Sequence, residues 1–228
     1  RGLANGSGTP WAQKIKRLAR IPVIPHLRPS RQAAISPART LAPPALVVVG
    51  ASTGGPAAVL EVLRGLPPAL QPPMVVVQHI DPTFAPGLAA WLGQRSNRPV
   101  ELASDGAAPG PGRVLLAPPG LELSIGGDGR VVLAPPRAGA LHDPSVDGMF
   151  LSVAKSFGHR AVGVLLTGMG RDGAEGLRAM RRSGARTIAQ DQPSCAVYGM
   201  PKTAVELDAA SSVVDLKDIG PVLAGWCG

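Results

Sequence analysis

The segment Gly50-Ala51-Ser52-Thr53-Gly54-Gly55 sets a serine in the pattern G-x-S-x-G between an apolar run and a helix-like run. A sharp strand-to-helix turn of that kind exposes a serine hydroxyl, and its glycines relieve the crowding around it. The hydroxyl is a weak nucleophile until a base takes its proton, and histidine suits that task near neutral pH. Gln78-His79-Ile80-Asp81-Pro82 offers His79 at the end of the next apolar run. A third loop, Thr167-Gly168-Met169-Gly170-Arg171-Asp172-Gly173, supplies glycine-freed amides suited to an oxyanion and an acid, Asp172, that can accept from the histidine and fix its tautomer. The order Ser52, His79, Asp172 differs from the Ser, Asp, His order of α/β-hydrolases, which only His142 or His159 as base would restore. Each residue also has a plainer role open to it. Ser52 can cap the helix that follows, His79 can be structural, and Asp172 can be the N-cap of the next helix, which would leave Asp81, Asp147 or Asp191 as the acid. A nucleotide-binding or scaffold module, with the Ser52 loop holding phosphate, is the rival of a different class. The loop fits neither G-x-G-x-x-G nor a Gly-Lys-Ser/Thr motif.

The elements that must carry these loops follow from hydrophobic periodicity. Short β-branched runs at Ala45–Val49, Met74–Gln78, Arg113–Ala117, Ala161–Leu166, Thr187–Gln190 and Ser212–Asp215 predict strands. Helices are predicted over Pro56–Leu66, Gly87–Arg95, Val146–Phe157, Ala174–Ser183, near Pro201–Leu207 and near Ile219–Trp226. Leu121–Ile125 and Arg130–Ala134, joined by Gly-Gly-Asp-Gly, predict a β-hairpin. Strands this apolar are covered on both faces. The pattern therefore predicts a three-layer αβα domain, a mostly parallel doubly wound sheet with a hairpin insertion, in which ligands bind beyond the carboxyl ends of the strands.

Charge divides the 228-residue chain. Residues 1–44 hold eight basic side chains and no acid, and the remainder balances 15 basic against 15 acidic residues. The formal charge of +8 thus belongs to a Pro/Arg-rich linker or tail, with Trp11, Ile15 and Leu18 at helical spacing, and residues 45–228 form the domain. With aromatics at 3%, a neutral fold argues against nucleic-acid binding. No apolar run is long enough to span a membrane, the N-terminal residues do not form a secretory signal, and two cysteines make neither a disulfide framework nor a zinc motif. A cytoplasmic protein is expected.

Beyond these patterns, VVVGASTGGP, VVVQHI, HDPSVD, AVGVLLTGMGRDGAEG, GARTIAQDQPSCAVYGMP and SSVVDL closely resemble, in collinear order from about Leu46 to the C-terminus, the catalytic domain of the chemotaxis protein-glutamate methylesterases, the CheB family. The resemblance implies Ser52 as nucleophile, His79 as base and Asp172 as its orienting acid, with Thr53 and the backbone of Met169 beside the oxyanion. It also implies hydrolysis of glutamate γ-methyl esters on the cytoplasmic helices of methyl-accepting receptors, deamidation of certain receptor glutamines, and no metal or organic cofactor. A phosphorylatable receiver domain, which that family carries N-terminally, is expected in a longer protein or in trans. Asp143 stands where an arginine is usual in the family.

Removal of residues 1–44 is expected to lower the pI sharply and leave Tm nearly unchanged by calorimetry. A fall of more than about 10 °C would mean that Trp11, Ile15 and Leu18 pack on the domain.

Overall fold

Alternating side chains on each apolar strand point to opposite faces, so each strand needs cover on both sides. The computed structural model describes residues 44–136 and 143–228. The linker reading, its Trp11 helix and the position of His142 lie outside these residues. The described elements run β1 (Leu46–Ala51), α1 (Gly55–Gly65), β2 (Met74–Gln78), α2 (Ala85–Ser96), β3 (Val100–Leu102), β4 (Val114–Leu116), β5 (Glu122–Ile125), β6 (Val131–Ala134), α3 (Val146–Ser156), β7 (Ala161–Leu165), α4 (Ala174–Arg182), β8 (Arg186–Gln190), α5 (Met200–Glu206), β9 (Ser212–Val214) and α6 (Leu216–Cys227).

Seven strands form one sheet in the order β3-β4-β2-β1-β7-β8-β9, every pair parallel, and β5 and β6 form a separate antiparallel hairpin. Val47, Val49, Met74, Val76, Val162 and Val164 face one layer, where Val59, Leu63, Leu92 and Leu223 of α1, α2 and α6 cover them. Val48, Val75, Val77 and Leu165 face the other, against Met149 and Phe150 of α3, Leu177 of α4 and Met200 of α5, with Leu123 and Ile125 of the hairpin closing the edge. Ile125 is tied to α3 by its amide on Ser152 Oγ at 2.9 Å and its carbonyl on Ser156 Oγ at 3.0 Å.

Two elements differ from the sequence reading. β3 is a three-residue edge strand, too short and too weakly alternating in Val-Glu-Leu to register as a period. α6 starts at Leu216 because Asp215 is its N-cap, accepting from Lys217 N at 3.1 Å, and is not the end of the preceding strand.

α3 and α4 cross at Gly176, where a Cβ would stand 2.6 Å from Phe150 Cβ and 2.9 Å from Asp147 O. Gly176→Ala is expected to overpack this crossing and cost about 1–3 kcal/mol in urea unfolding. An unchanged midpoint would show that the two helices are free to part.

Candidate active site

The chain leaves β1 toward β2 on one side of the sheet and leaves β7 toward β8 on the other, so the topology switches between β1 and β7. Such a switch point opens a crevice beyond the carboxyl ends of the strands. Ala51 pairs with Gln78 as the last register pair of β1 and β2. Ser52 and His79 each follow directly, and His79 N donates to Ala51 O at 3.1 Å. On the other flank Ser52 N donates to Thr167 O at 3.0 Å. The three segments singled out from the sequence therefore meet at one place.

The half-buried Ser52 starts a tight turn into α1, with Gly54 at φ +79°, a left-handed conformation that glycine adopts without strain. Across the crevice a Cβ at Gly168 would stand 2.8 Å from Ser52 Cβ, so only glycine lets the third loop come this close. The buried Thr167 hydroxyl holds the turn from behind, donating to Thr53 O at 2.9 Å and accepting from Val197 N at 2.9 Å. Gly168 O in turn accepts from Gly199 N and Met200 N at 3.1 and 2.9 Å, fixing the loop that carries Met169. Thr53 is exposed and Met169 is 73% exposed, so at Met169 it is the backbone, next to the bonded Gly168 carbonyl, that the fold holds in place.

His79 Nε2 lies 2.9 Å from Asp172 Oδ2, with both side chains largely buried. Asp172 does not cap the helix that follows it, whose N-cap is Gly173 with no side-chain bond. Instead it caps α3. Its Oδ2 also accepts from Val146 N at 2.8 Å, and its Oδ1 accepts from Asp147 N at 2.9 Å and Ser145 Oγ at 3.1 Å. Asp147 returns the arrangement, accepting from Gly176 N in the first turn of α4 at 2.6 Å. Each helix thus has its N-terminus capped by an acid from the other's entry. Burial pushes the Asp172 carboxyl up, but the hydrogen bond from His79 and the Asp147 and Val146 amides outweigh it and hold the group below the ordinary carboxylate range. Asp147 shifts the opposite way, because burial and the charge of Asp172 exceed what the Gly176 and Gly173 amides return.

Of the rival residues, Asp147 adjoins Asp172 but its carboxylate is taken up by Gly176 N, and the described others lie elsewhere. His159 is exposed in a turn ahead of β7, at the amino end of that strand. Asp81 is exposed and binds Thr83, and Asp191 holds Ser194. The Cys195 thiol, near Thr167, is pushed up to about 11 by burial and the charge of Asp191, which leaves little thiolate at neutral pH. Among the described residues no group of three or more His, Cys, Asp or Glu side chains can hold a metal ion, and no helix is long and apolar enough to cross a membrane. Sequence reasoning missed Ser145 and the Val146 and Asp147 amides as partners of Asp172. Its available signal was Pro-Ser-Val-Asp ahead of an apolar run, an N-cap signature.

A glycine-flanked serine at a strand-to-helix turn, beside a histidine bound to a buried aspartate, is the constellation that serine hydrolases use on many folds. Comparison with known proteins narrows the class. The family model described as CheB methylesterase matches residues 47–223. The chain is 50% identical over 179 residues to protein-glutamate methylesterase/protein-glutamine glutaminase 1 of Bordetella avium, covering 78% of this chain and 52% of that protein. It is 45% identical over 219 residues to the corresponding protein 2 of Cupriavidus metallidurans, covering 96% of this chain and 64% of that one. The crystal structure of the Thermotoga maritima CheB methylesterase catalytic domain superposes with a TM-score of 0.75 at 34% identity, covering 81% of this chain and 99% of that one. The chain belongs to the CheB methylesterase family. It spans about half to two thirds of the length of these curated relatives.

Because both oxygens of Asp172 accept from two donors, an amide nitrogen at either position would face donors head-on. Asp172→Asn is expected to cost about 1–3 kcal/mol at pH 7. The folded carboxyl value lies below the unfolded one, so this contribution is present above about pH 4 and is lost as pH falls through the folded value. The gap in urea midpoint between wild type and Asp172→Asn should narrow on acidification below about pH 4. A gap that is constant or widens would mean that the charge of Asp172 is not what the donors recognise.

Proposed function

We propose that this chain is the catalytic domain of a cytoplasmic protein-glutamate methylesterase, acting on glutamate γ-methyl esters in the helical segments of methyl-accepting receptors and also deamidating receptor glutamines. The observation that carries the reading is the 2.9 Å pairing of His79 with buried Asp172 at the strand ends adjoining the Ser52 turn. Family membership selects the ester among the acyl groups such a site handles. A receiver domain, in the same polypeptide or in trans, is the regulatory partner proposed on the family resemblance.

The ring hydrogen bond dictates the direction of proton flow. Asp172 is ionised and can only accept, so Nε2 carries a hydrogen and the lone pair of the neutral ring lies on Nδ1. Nδ1 takes the proton of Ser52 as its Oγ bonds to the ester carbonyl carbon, and the carbonyl oxygen becomes an oxyanion facing the Thr53 and Met169 amides. Collapse breaks the bond to the methoxy oxygen, which takes the proton from Nδ1 and leaves as methanol. Water then adds to the acyl-serine with Nδ1 again as base, and release of Ser52 yields glutamate. With a glutamine the leaving group is ammonia. Throughout, the charge of Asp172 favours the imidazolium, and the three other donors around the carboxylate hold it in place against the ring.

The test is methanol release from a methylated receptor fragment. Ser52→Ala and His79→Ala should each remove most turnover while leaving the fold intact, and the double variant should cost little more than either alone. Asp172→Asn is expected to lower kcat by about 10²–10⁴. Turnover retained in folded Ser52→Ala, or absent labelling of Ser52 by a fluorophosphonate, would overturn the assignment.

A further inference from the structure

Gln78 is the last residue of β2 and is 2% exposed. Its Nε2 donates to Ser52 O and to His79 O, both at 2.9 Å. One buried amide therefore joins the backbones of the two residues assigned the proton transfer. The β1–β2 register ends at Ala51 and Gln78, and the bond from His79 N to Ala51 O is the last backbone link between the two segments. Past that point the side chain of Gln78 supplies the tie between the two segments.

We propose that Gln78 is a positioning residue that locks the Ser52 and His79 backbones into one alignment, so that the serine hydroxyl and the imidazole remain in line for transfer. This rests on the assignment of Ser52 and His79 above. The Ser52 carbonyl belongs to the peptide that carries the Thr53 N–H, and a planar trans peptide points the two groups in opposite directions. Holding that carbonyl thus also aims the Thr53 amide. The room for this arrangement is built in: Gln78 Oε1 turns toward Gly55, where a Cβ would stand only 1.9 Å away. Gln190 plays a parallel part at the end of β8, accepting from Thr167 N at 2.8 Å and donating to Ser194 O at 2.7 Å. Gln190 ties a loop to the sheet, whereas Gln78 ties nucleophile to base.

The experiment measures hydrolysis of p-nitrophenyl acetate by the full chain, at a temperature where circular dichroism shows each variant folded. Gln78→Met keeps the length of the side chain and removes both donors. Gln78→Asn keeps an amide too short to reach both carbonyls. Each is expected to lower kcat by about 10–100-fold with KM within about two-fold, because small misalignments of reacting groups carry penalties of that size. In a His79→Ala background, where there is no base left to align, the same changes should alter the residual rate by less than about three-fold. Equal losses with and without His79, an unchanged kcat, or a loss of folding in both variants would each overturn the proposal and make Gln78 a residue of the fold alone. Ser52→Ala is measured alongside. If it leaves the rate unchanged, the nucleophile assignment has failed instead, and the two failures are told apart.

Discussion

A carboxylate removed from water at the end of β7 needs donors on every side, and this requirement organises the site. Asp172 takes them from the N-terminus of α3 and from His79. Charge-assisted bonds of this kind contribute about 1.5–3 kcal/mol each, and a buried charge that loses its partners costs more than the bonds give. The helix N-terminus adds its partial positive charge. So α3 must start where Asp172 ends, and Ser145, which donates to the carboxylate while accepting from Gly148 N at 3.1 Å, fixes that starting point. Asp147 then binds α4 in return, and the contact of α3 with α4 at Gly176 leaves no slack for the pair to drift.

The sheet supplies the other constraint. Parallel strands deliver all their carboxyl ends to one edge, and the reversal of direction between β1 and β7 keeps that edge open where Ser52 and the Asp172 loop emerge. Closeness across the opening is limited by side-chain bulk. Gly168 allows backbone to approach Ser52 where a methyl group would collide, and Thr167 and Gln190 then hold that backbone in place from the rear. The result is a serine on a turn restrained from both flanks, carried at the carboxyl edge of the sheet where the topology opens a crevice.

Most of this was legible in the sequence because strand ends are marked by composition. Val-Val-Val-Gly and Val-Val-Val-Gln announce buried strands, and the polar residue after each is the one at the carboxyl edge. The partner of Asp172 in capping was not legible. A local rule assigns an acid before a helix to that helix, and here tertiary contact gives it to a helix 26 residues earlier in the chain. Gln78 is a similar case: a polar residue ending an apolar run reads as the point where burial stops, yet it is buried because its amide finds the carbonyl of Ser52, 26 residues away, as well as that of the adjoining His79. β3 escaped for a different reason, since three residues on a sheet edge carry too little alternation to count as a period.

The double duty of Asp172 also bears on its chemistry. An ordinary carboxylate beside an imidazole can either hold the ring's proton by attraction or take it outright. Four donors, two of them amides of the α3 N-terminus, stabilise the ionised form of Asp172 and make it a poorer proton acceptor than a solvated carboxylate. In the mechanism proposed above, a proton taken by His79 therefore stays on the ring, and the support that Asp172 gives is Coulombic and geometric. The same donors spread the negative charge over two oxygens, which weakens the pull on the imidazolium relative to a carboxylate with the ring as sole partner. What is given up in attraction is recovered in orientation, because Oδ2 is fixed by Val146 N as well as by the ring, and in the proposed role of His79 a base oriented through a helix terminus does not need to find its alignment anew in each turnover.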